Sequence, residues 1–249
     1  MIFLRSVVFN IIFYTMTLGA AFVFLPLIPF PRRFLIAAII RYEHMALWVQ
    51  EHVLGLRLEI TGRENLPANG PYIVAMKHQS AYETLILHAL FKDTAIILKR
   101  ELTWIPIWGW IVASSGNVAI DRGKGRVALD SMLRGAKTVF REGRILTIYP
   151  QGTRVDIHDT PKERPYKIGI GRIYTDNAVP VVPIAINAGV FWPKHAFLKR
   201  PGVVTFQVLP PIPPGLPLTE FMQVLEQTLE HHSTALVQAA LHRDGRLPE

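Results

Sequence analysis

Seven short apolar runs alternate with longer helical patterns from residue 56 onward, and this alternation limits the possible folds more than any other feature. The apolar runs lie at 57–61, 71–77, 94–98, 117–121, 144–149, 181–186 and 203–208. The helical patterns lie at 81–90, 101–113, 126–142 and 167–177, and a last one extends from Thr219 to His242. Strands that alternate with helices form βαβ units, which join parallel neighbours of one sheet. The sequence therefore predicts an α/β fold with a largely parallel mixed sheet flanked by helices.

The N-terminal segment has a different character, because no residue from Ser6 to Pro31 is charged. About 20 apolar residues suffice to span the hydrocarbon core of a bilayer, so the stretch Ser6–Leu25 is long enough. Arg5 precedes the stretch, and Arg32 and Arg33 follow it. The length and apolar character of the stretch predict a membrane helix. If this helix spans the membrane, the larger number of arginines on its C-terminal side predicts that the rest of the chain lies in the cytoplasm. A secretory signal peptide is the alternative, since Arg5 is a basic start and small residues follow within the apolar run.

A second helix is predicted from Phe34 to Leu54, where polar residues recur seven apart and the other faces are apolar. Such a helix can lie in a membrane interface, with Tyr42 and Trp48 near the headgroups. Packing against the core of the protein explains the same pattern equally well. Residues 1–55 are therefore predicted to form membrane-anchoring or interfacial helices, and residues 56–249 the α/β domain.

Composition narrows the possible partners. Half of the residues are hydrophobic, 18% are charged and the mean hydropathy is +0.25, which favours membrane association. The net charge of +8 predicts an anionic partner: nucleic acid, acidic lipid headgroups or an acidic carrier protein. Nucleic acid ranks last, because no recognisable nucleic-acid-reading motif is present. The chain has no cysteine, which excludes thiolate catalysis, cysteine zinc sites and disulfides.

The first chemical motif is the turn from Lys77 to Thr84, which follows the apolar run at 71–77. In an α/β sheet such a turn lies at the carboxyl end of a strand, where ligands bind. Glu83 can accept a hydrogen bond from one imidazole nitrogen of His78, so that the other nitrogen acts as a general base. Ser80 and Glu83 also match a capping box, which is the structural alternative for the carboxylate. A metal site is disfavoured, because the histidine and the carboxylate lack helical ligand spacing and have no third ligand nearby.

Three further motifs occupy the ends of later strands. Gly116–Arg122 and Ile148–Arg154 each combine a short strand, a glycine and a terminal arginine. Arg122 and Arg154 can converge on one crevice and hold a phosphate, whereas each arginine taken singly is more typical of a surface residue. Val181–Gly189 is a buried strand that contains a proline.

The four motifs, in this order and spacing, resemble those of the glycerolipid acyltransferases typified by lysophosphatidic acid acyltransferase. The resemblance covers roughly residues 56–210. The family pattern His-x4-Asp corresponds to His78–Glu83, and its arginine motif corresponds to Ile120–Arg122. The family pattern Pro-Glu-Gly-Thr-Arg corresponds to Pro150–Arg154, and the proline-bearing strand to Val182–Ile184. This chain therefore has Glu83 where the family has aspartate, and a glutamine, Gln151, where it has glutamate.

The resemblance implies that 56–249 is a catalytic domain acting in phospholipid biosynthesis. The reaction would move a fatty acyl chain from acyl carrier protein or coenzyme A to the free sn-2 hydroxyl of lysophosphatidic acid or a related lysophospholipid. It would need no metal or cofactor, and it would occur at a bacterial-type inner membrane with the catalytic domain on the cytoplasmic side. The alternatives are a different lysolipid acceptor and a noncatalytic lipid-binding protein with the same fold.

The resemblance also assigns roles to residues. His78 would be the general base, and Glu83 would orient it. Acceptor binding, including the contacts to its phosphate, would fall to Arg122, Gln151, Gly152, Thr153 and Arg154. Pro183 would shape the acyl pocket. No covalent enzyme intermediate is required, because a hydroxyl activated by one base can attack the thioester carbonyl directly. A Gly-x-Ser-x-Gly nucleophile motif is also absent from the sequence.

Overall fold

The computed structural model describes residues 1–121, 123 and 125–243. These residues contain one seven-stranded sheet with the strand order β1-β7-β6-β2-β5-β3-β4. The strands are β1 (Leu56–Thr61), β2 (Ile73–Met76), β3 (Thr94–Lys99), β4 (Val118–Ile120), β5 (Ile145–Ile148), β6 (Val181–Ile186) and β7 (Gly202–Val208). Each lies within two residues of an apolar run in the sequence, so all the predicted strands are confirmed.

The sheet is largely parallel, as predicted. Strands β6, β2, β5, β3 and β4 all run in one direction, whereas β7 is antiparallel to β6 and β1 is parallel to β7. The carboxyl ends of the five parallel strands therefore lie along the same edge of the sheet. In open α/β sheets this edge is where ligands bind.

Helices cover both faces of the sheet. They are α1 (Ile2–Phe24), α2 (Arg32–Val49), α3 (Leu87–Phe91), α4 (Trp108–Ser114), α5 (Gly125–Arg141), α6 (Gly169–Asn177), α7 (Ala188–Phe191) and α8 (Leu218–Arg243). One face packs against α5, α6 and the first half of α8, with Ile73, Ile97 and Ile148 in its core. The opposite face, with Val74 and Met76, packs against α3 and the N-terminal helices.

Two predicted helices are interrupted. The pattern at 101–113 is a 3-10 turn, Arg100–Trp104, followed by α4. Ile105 between them is extended, with φ −64° and ψ 122°, because the ring of Pro106 disfavours helical backbone in the residue before it. The pattern at 81–90 is likewise a 3-10 turn, Glu83–Leu85, followed by the short α3, with Ile86 outside the helical region between them.

Helix α1 is long and apolar enough to cross a membrane by length and composition. It also contacts α2 and α4, and it has buried residues near both of its ends. Phe9 is fully buried and packs edge-on against Trp192, with ring centroids 5.3 Å apart. Near the start of the helix, the Ser6 hydroxyl accepts a hydrogen bond from the Lys199 amide at 3.0 Å. Its other side leaves large apolar residues such as Phe22 exposed. One apolar N-terminal helix therefore fits membrane association.

Helix α2 also has two kinds of surface. Its buried residues include Glu43, which the sequence pattern placed in the polar stripe. Met45 and Trp48 are exposed, as an interfacial helix would have them, whereas Tyr42, also expected near the headgroups, is buried against α1. The helix thus packs on the protein core and still presents an apolar face.

Candidate active site

The loops after β2 and β5 face each other, because these two strands are direct neighbours in the sheet. His78 lies two residues beyond the end of β2, and Gln151–Arg154 follows β5. The amide of Val155 donates a hydrogen bond of 2.7 Å to the carbonyl of His78, which ties the two loops together. Two of the predicted motifs are therefore adjacent in space.

His78 and Glu83 form a hydrogen-bonded pair, with Nδ1 and Oε1 separated by 2.8 Å. The same carboxylate oxygen accepts a hydrogen bond from the Ser80 amide at 2.7 Å, and the Ser80 hydroxyl accepts one from the Tyr82 amide at 3.1 Å. The two interpretations of Glu83, cap and orienter, therefore coexist on one oxygen atom. Since an ionised carboxylate can only accept, Nδ1 carries the proton and Nε2 is left as an acceptor.

Tyr149, the first residue after β5, packs its ring against the face of the His78 imidazole. The two rings are stacked, with centroids 4.1 Å apart and planes 19° from parallel. Burial raises the pKa of the Tyr149 phenol well above its ordinary value, and the nearby Glu83 and Glu43 carboxylates raise it further. The phenol therefore stays neutral, and the ring serves as a rigid support for His78.

A cavity of about 450 Å³ opens beside the imidazole. His78 and Arg154 line it, and most of its wall is apolar: Phe24, Ile39, Leu85, Ile96, Leu98, Leu102, Trp108, Ile111 and Val112. A second cavity of about 700 Å³ adjoins it along α1 and is also lined by Arg154. The arrangement places a base and a cation at an apolar space large enough for a hydrocarbon chain.

Gly152 and Thr153, which were also predicted to bind the phosphate, lie in the loop after β5 beside Arg154. Gly152 occupies a left-handed conformation, with φ +70°, which favours glycine. Thr153 is exposed beside it. The motif after β4 reaches the same edge of the sheet through Asp121, but Arg122 lies outside the described residues. The structure thus brings His78 and Arg154 together and leaves the position of Arg122 undescribed.

Gln151 adjoins a chain of polar groups in which Lys77 and Tyr166 are buried and Glu230 is partly buried. The Lys77 ammonium donates to Glu230 at 2.8 Å, and the Tyr166 hydroxyl donates to the other oxygen of Glu230 at 2.9 Å. Tyr166 also forms a hydrogen bond with the side chain of Gln151. Because the Tyr166 hydroxyl already donates its proton to Glu230, the amide nitrogen of Gln151 is the donor in this second bond. Burial and the Glu230 charge raise the pKa of Tyr166. The chain orients the glutamine amide, whose oxygen has no partner among the described residues.

Pro183 lies in the body of β6, opposite Ala75 of β2. Its carbonyl accepts a hydrogen bond of 3.0 Å from Leu209, at the point where the pairing of β6 with β7 ends. A residue without an amide proton fits the end of a ladder. Pro183 is not among the residues that line the cavity beside His78 or the cavity along α1.

Comparison with known proteins identifies the family. A family model described as Acyltransferase matches residues 57–187, which is more than half of the chain. The chain belongs to this acyltransferase family. The acyltransferase is 32% identical over 208 residues to a 1-acyl-sn-glycerol-3-phosphate acyltransferase of Pseudomonas aeruginosa, covering 81% of this chain and 79% of the relative. It is 29% identical over 189 residues to the protein of that name from Saccharomyces cerevisiae, covering 72% of this chain and 61% of the yeast protein.

A solved structure shows that the fold is shared as well. The crystal structure of the 1-acyl-sn-glycerophosphate acyltransferase from Thermotoga maritima superimposes with a TM-score of 0.75 and 21% sequence identity. The superposition covers 95% of this chain and 98% of the other. The N-terminal helices of the acyltransferase are therefore included in the shared architecture.

The sequence analysis missed one residue at the same edge of the sheet as the motifs and one pair in the cavity wall. Lys99 is exposed at the end of β3, on the same edge as the motifs, and a basic residue closing an apolar run was the available signal. Glu43 and His88 form a second buried histidine–carboxylate pair in the wall of the smaller cavity. The two residues are 45 apart in the sequence and lie on different helices, so no local pattern signalled them. Among the described residues, no group of three or more His, Cys, Asp or Glu could hold a metal ion.

Proposed function

We propose that this acyltransferase moves a fatty acyl chain from a thioester to the free sn-2 hydroxyl of lysophosphatidic acid or a related lysophospholipid. The observation that carries the proposal is the 2.8 Å His78–Glu83 pair at an apolar cavity that Arg154 also lines. The acceptor is the one named by the relatives from Pseudomonas aeruginosa and Saccharomyces cerevisiae. Acyl carrier protein and coenzyme A are the two candidate carriers of the donor.

In the proposed reaction, His78 Nε2 removes the proton from the acceptor hydroxyl as its oxygen attacks the thioester carbonyl carbon. The new C–O bond forms, the C–S bond breaks, and the proton passes from the imidazolium to the departing sulfur. A thiol has an ordinary pKa of about 8.5, so the leaving group needs little acid assistance. Glu83 holds the proton on Nδ1 and stabilises the imidazolium while it exists.

The phosphate of the acceptor is proposed to bind Arg154, with Gly152 and Thr153 beside it. A guanidinium can bind two phosphate oxygens at once, which also orients the acceptor. Arg122, which follows β4, and Lys99, at the end of β3, would add positive charge at the same edge. The acyl chain of the donor would occupy the apolar cavity of about 450 Å³.

We further propose that the enzyme works on the cytoplasmic face of a bacterial-type inner membrane. The sidedness follows from the arginines that flank the apolar segment. Three exposed tryptophans support insertion into a lipid surface: Trp48, Trp104 and Trp110 are 61%, 69% and 55% exposed. They would sit at the level of the headgroups and keep the cavity mouth close to the lipid substrate.

The decisive experiment uses purified protein, labelled acyl donors on each carrier and a panel of lysophospholipids. The wild-type protein should form a diacyl product from lysophosphatidic acid or a related lysophospholipid. Replacing His78 with alanine should lower turnover on the order of 10²–10⁴-fold while vesicle binding is retained. His44→Ala is the matched control, since His44 is exposed on α2. Near-full activity of the His78 variant would contradict the proposal, and a wild-type protein that binds lipid without forming product would indicate a binding protein.

A further inference from the structure

The cavity along α1 adjoins the cavity beside His78 but differs from it in charge. The two cavities share the lining residues Tyr42, Ala81, Leu85, Trp108 and Arg154. Glu43 lines the cavity beside His78, whereas no aspartate or glutamate is among the described residues that line the cavity along α1. Arg154 and Lys199 both line this second cavity. Its wall therefore presents positive charge without a counter-charge.

Lys199 is a buried cation in this wall, with 5% of its surface exposed. Its ammonium donates to Asn10 Oδ1 at 2.8 Å and to the Phe197 carbonyl at 3.0 Å. Both acceptors are neutral, and burial lowers the pKa of the ammonium with no described carboxylate close enough to oppose the effect. Buried charges in proteins are normally paired. An ammonium has three donors, so two hydrogen bonds leave one for a further acceptor.

Three aromatic rings surround the same ammonium. Lys199 Nζ lies 5.0 Å from the ring centroid of Trp192, 5.7 Å from that of Phe9 and 5.8 Å from that of Phe197. The rings attract the cation, but they carry no net charge and do not neutralise it. These contacts also support a purely structural role, in which Lys199 ties α1 to the loop before β7. The two roles differ in whether an anion in the cavity completes the pairing of the ammonium.

The rest of the cavity wall suits a hydrocarbon chain. It is largely aromatic and apolar, with Phe13, Leu85, Trp108, Trp192 and Phe197. The hydroxyls of Thr17 and Tyr42, which also line it, share a hydrogen bond of 2.6 Å with each other. The volume of about 700 Å³ lies in the range of ligand cavities. An anionic lipid with one acyl chain combines the charge and the apolar surface that this wall requires.

We propose that the cavity along α1 binds the lysophospholipid acceptor, with its phosphate between Arg154 and Lys199 and its sn-1 chain against the aromatic wall. This inference rests on the proposed function, because it takes the cavity beside His78 as the site of the donor chain. A phosphate has enough oxygen atoms to accept from both cations. Arg154 lines both cavities, so an acceptor held there lies next to the cavity of His78. The donor chain and the acceptor chain then occupy separate spaces.

Replacing Lys199 with methionine tests the phosphate contact. The KM for lysophosphatidic acid should rise about tenfold, because a hydrogen bond to a charged group is lost, while kcat stays within about threefold. The KM for the acyl donor should stay within about twofold, which a general loss of structure would not allow. Lys199→Arg keeps the charge and should restore the acceptor KM to within about threefold of wild type. Arg200→Met is the matched control, since it removes one charge from the adjacent exposed residue and should leave both KM values unchanged.

Photolabelling locates the acceptor chain without turnover. Lysophosphatidic acid with a diazirine in its acyl chain is irradiated with wild-type enzyme in the absence of donor, and labelled residues are mapped by mass spectrometry. Labelling that unlabelled lysophosphatidic acid competes away should fall on the wall along α1, at Phe13, Thr17 or Phe197. Glycerol 3-phosphate at the same concentration should compete poorly, because it lacks the chain. Phe22 is exposed on the outer side of α1, so labelling there that resists competition reports bulk lipid.

The results separate this inference from the proposed function. An unchanged acceptor KM in an active Lys199→Met enzyme would overturn the phosphate contact. Competed labelling at Ile39 or Leu98, which line the cavity beside His78, would overturn the location of the chain. Equal protection by phosphatidylglycerol would assign the cavity to a diacyl membrane lipid and would overturn the inference as well. If Lys199→Met fails to fold, labelling of the wild-type enzyme still decides. Failure of the wild-type enzyme to transfer any acyl chain would instead refute the proposed function.

Discussion

Replacing Glu83 with glutamine separates two roles that one oxygen atom performs. Glu83 Oε1 accepts from the His78 imidazole at 2.8 Å and from the Ser80 amide at 2.7 Å. A glutamine with its carbonyl oxygen at this position keeps both hydrogen bonds. The backbone turn and the tautomer of His78 should therefore survive. What the variant lacks is the negative charge beside the imidazolium that forms during proton transfer.

The magnitude follows from Coulomb's law. With an Nδ1–Oε1 distance of 2.8 Å, the charge centres of the Glu83 carboxylate and the His78 imidazolium lie about 4 Å apart. At an effective dielectric constant of about 20, their attraction is about 4 kcal/mol. Each 1.36 kcal/mol is tenfold in rate, so Glu83→Gln should lower kcat on the order of 10³-fold. The melting temperature should change by only about a few degrees, because both hydrogen bonds are kept.

The assay is acyl transfer at saturating donor and acceptor, with thermal unfolding measured on the same preparations. Glu83→Asp is the matched control, since it keeps the charge, shortens the side chain by one methylene and restores the residue type of the family motif. The aspartate variant should retain clearly more activity than the glutamine variant. A glutamine variant within tenfold of wild type would refute the electrostatic role and leave Glu83 as a cap of the turn.

Three further outcomes are expected. Arg154→Ala should raise the KM for a phosphate-bearing acceptor about 10–100-fold with little change in kcat, because a binding contact to a charged group is lost. An unchanged KM would show that the phosphate binds elsewhere. Lys77→Met should lower the free energy of unfolding by about 1.5–3 kcal/mol in urea titrations, because it removes the buried partner of Glu230. A loss within experimental error would show that the pair contributes nothing. Trp104→Ser should weaken partition into anionic vesicles on the order of tenfold, since a largely exposed aromatic ring would no longer enter the lipid. Activity on detergent-dispersed substrate should be retained. Unchanged partition would place the membrane contact elsewhere.

The elements of the fold could be read from local patterns. The helix predicted at 126–142 is α5, Gly125–Arg141, and the apolar runs are the strands of the sheet. Their succession implied parallel neighbours, and hence a common edge for the motifs. Two expectations failed for different reasons: Pro106 locally divides the helix predicted at 101–113, and the docking of α2 on α3 buries Glu43 although its spacing placed it on a polar stripe.

Local sequence patterns predicted only part of the candidate active site. The sequence alone offered two interpretations of Glu83, and the folded turn shows a single oxygen serving both contacts. The placement of Arg154 beside His78 follows from β5 lying next to β2, which strand order along the chain does not reveal. The resemblance assigned Pro183 to the acyl pocket; the structure shows it within β6, and it does not line the cavity beside His78 or the cavity along α1.

By itself the sequence determined the fold class, the strands, the motifs at the strand ends and the apolar N-terminus, because periodicity records which face of each element is buried. Only the tertiary structure decided which side chains meet. The Lys77–Glu230 pair joins residues 153 apart, and the Glu43–His88 pair joins residues 45 apart. Such pairs depend on how helices dock on the sheet, and docking is set by the packing of the whole core rather than by any local pattern.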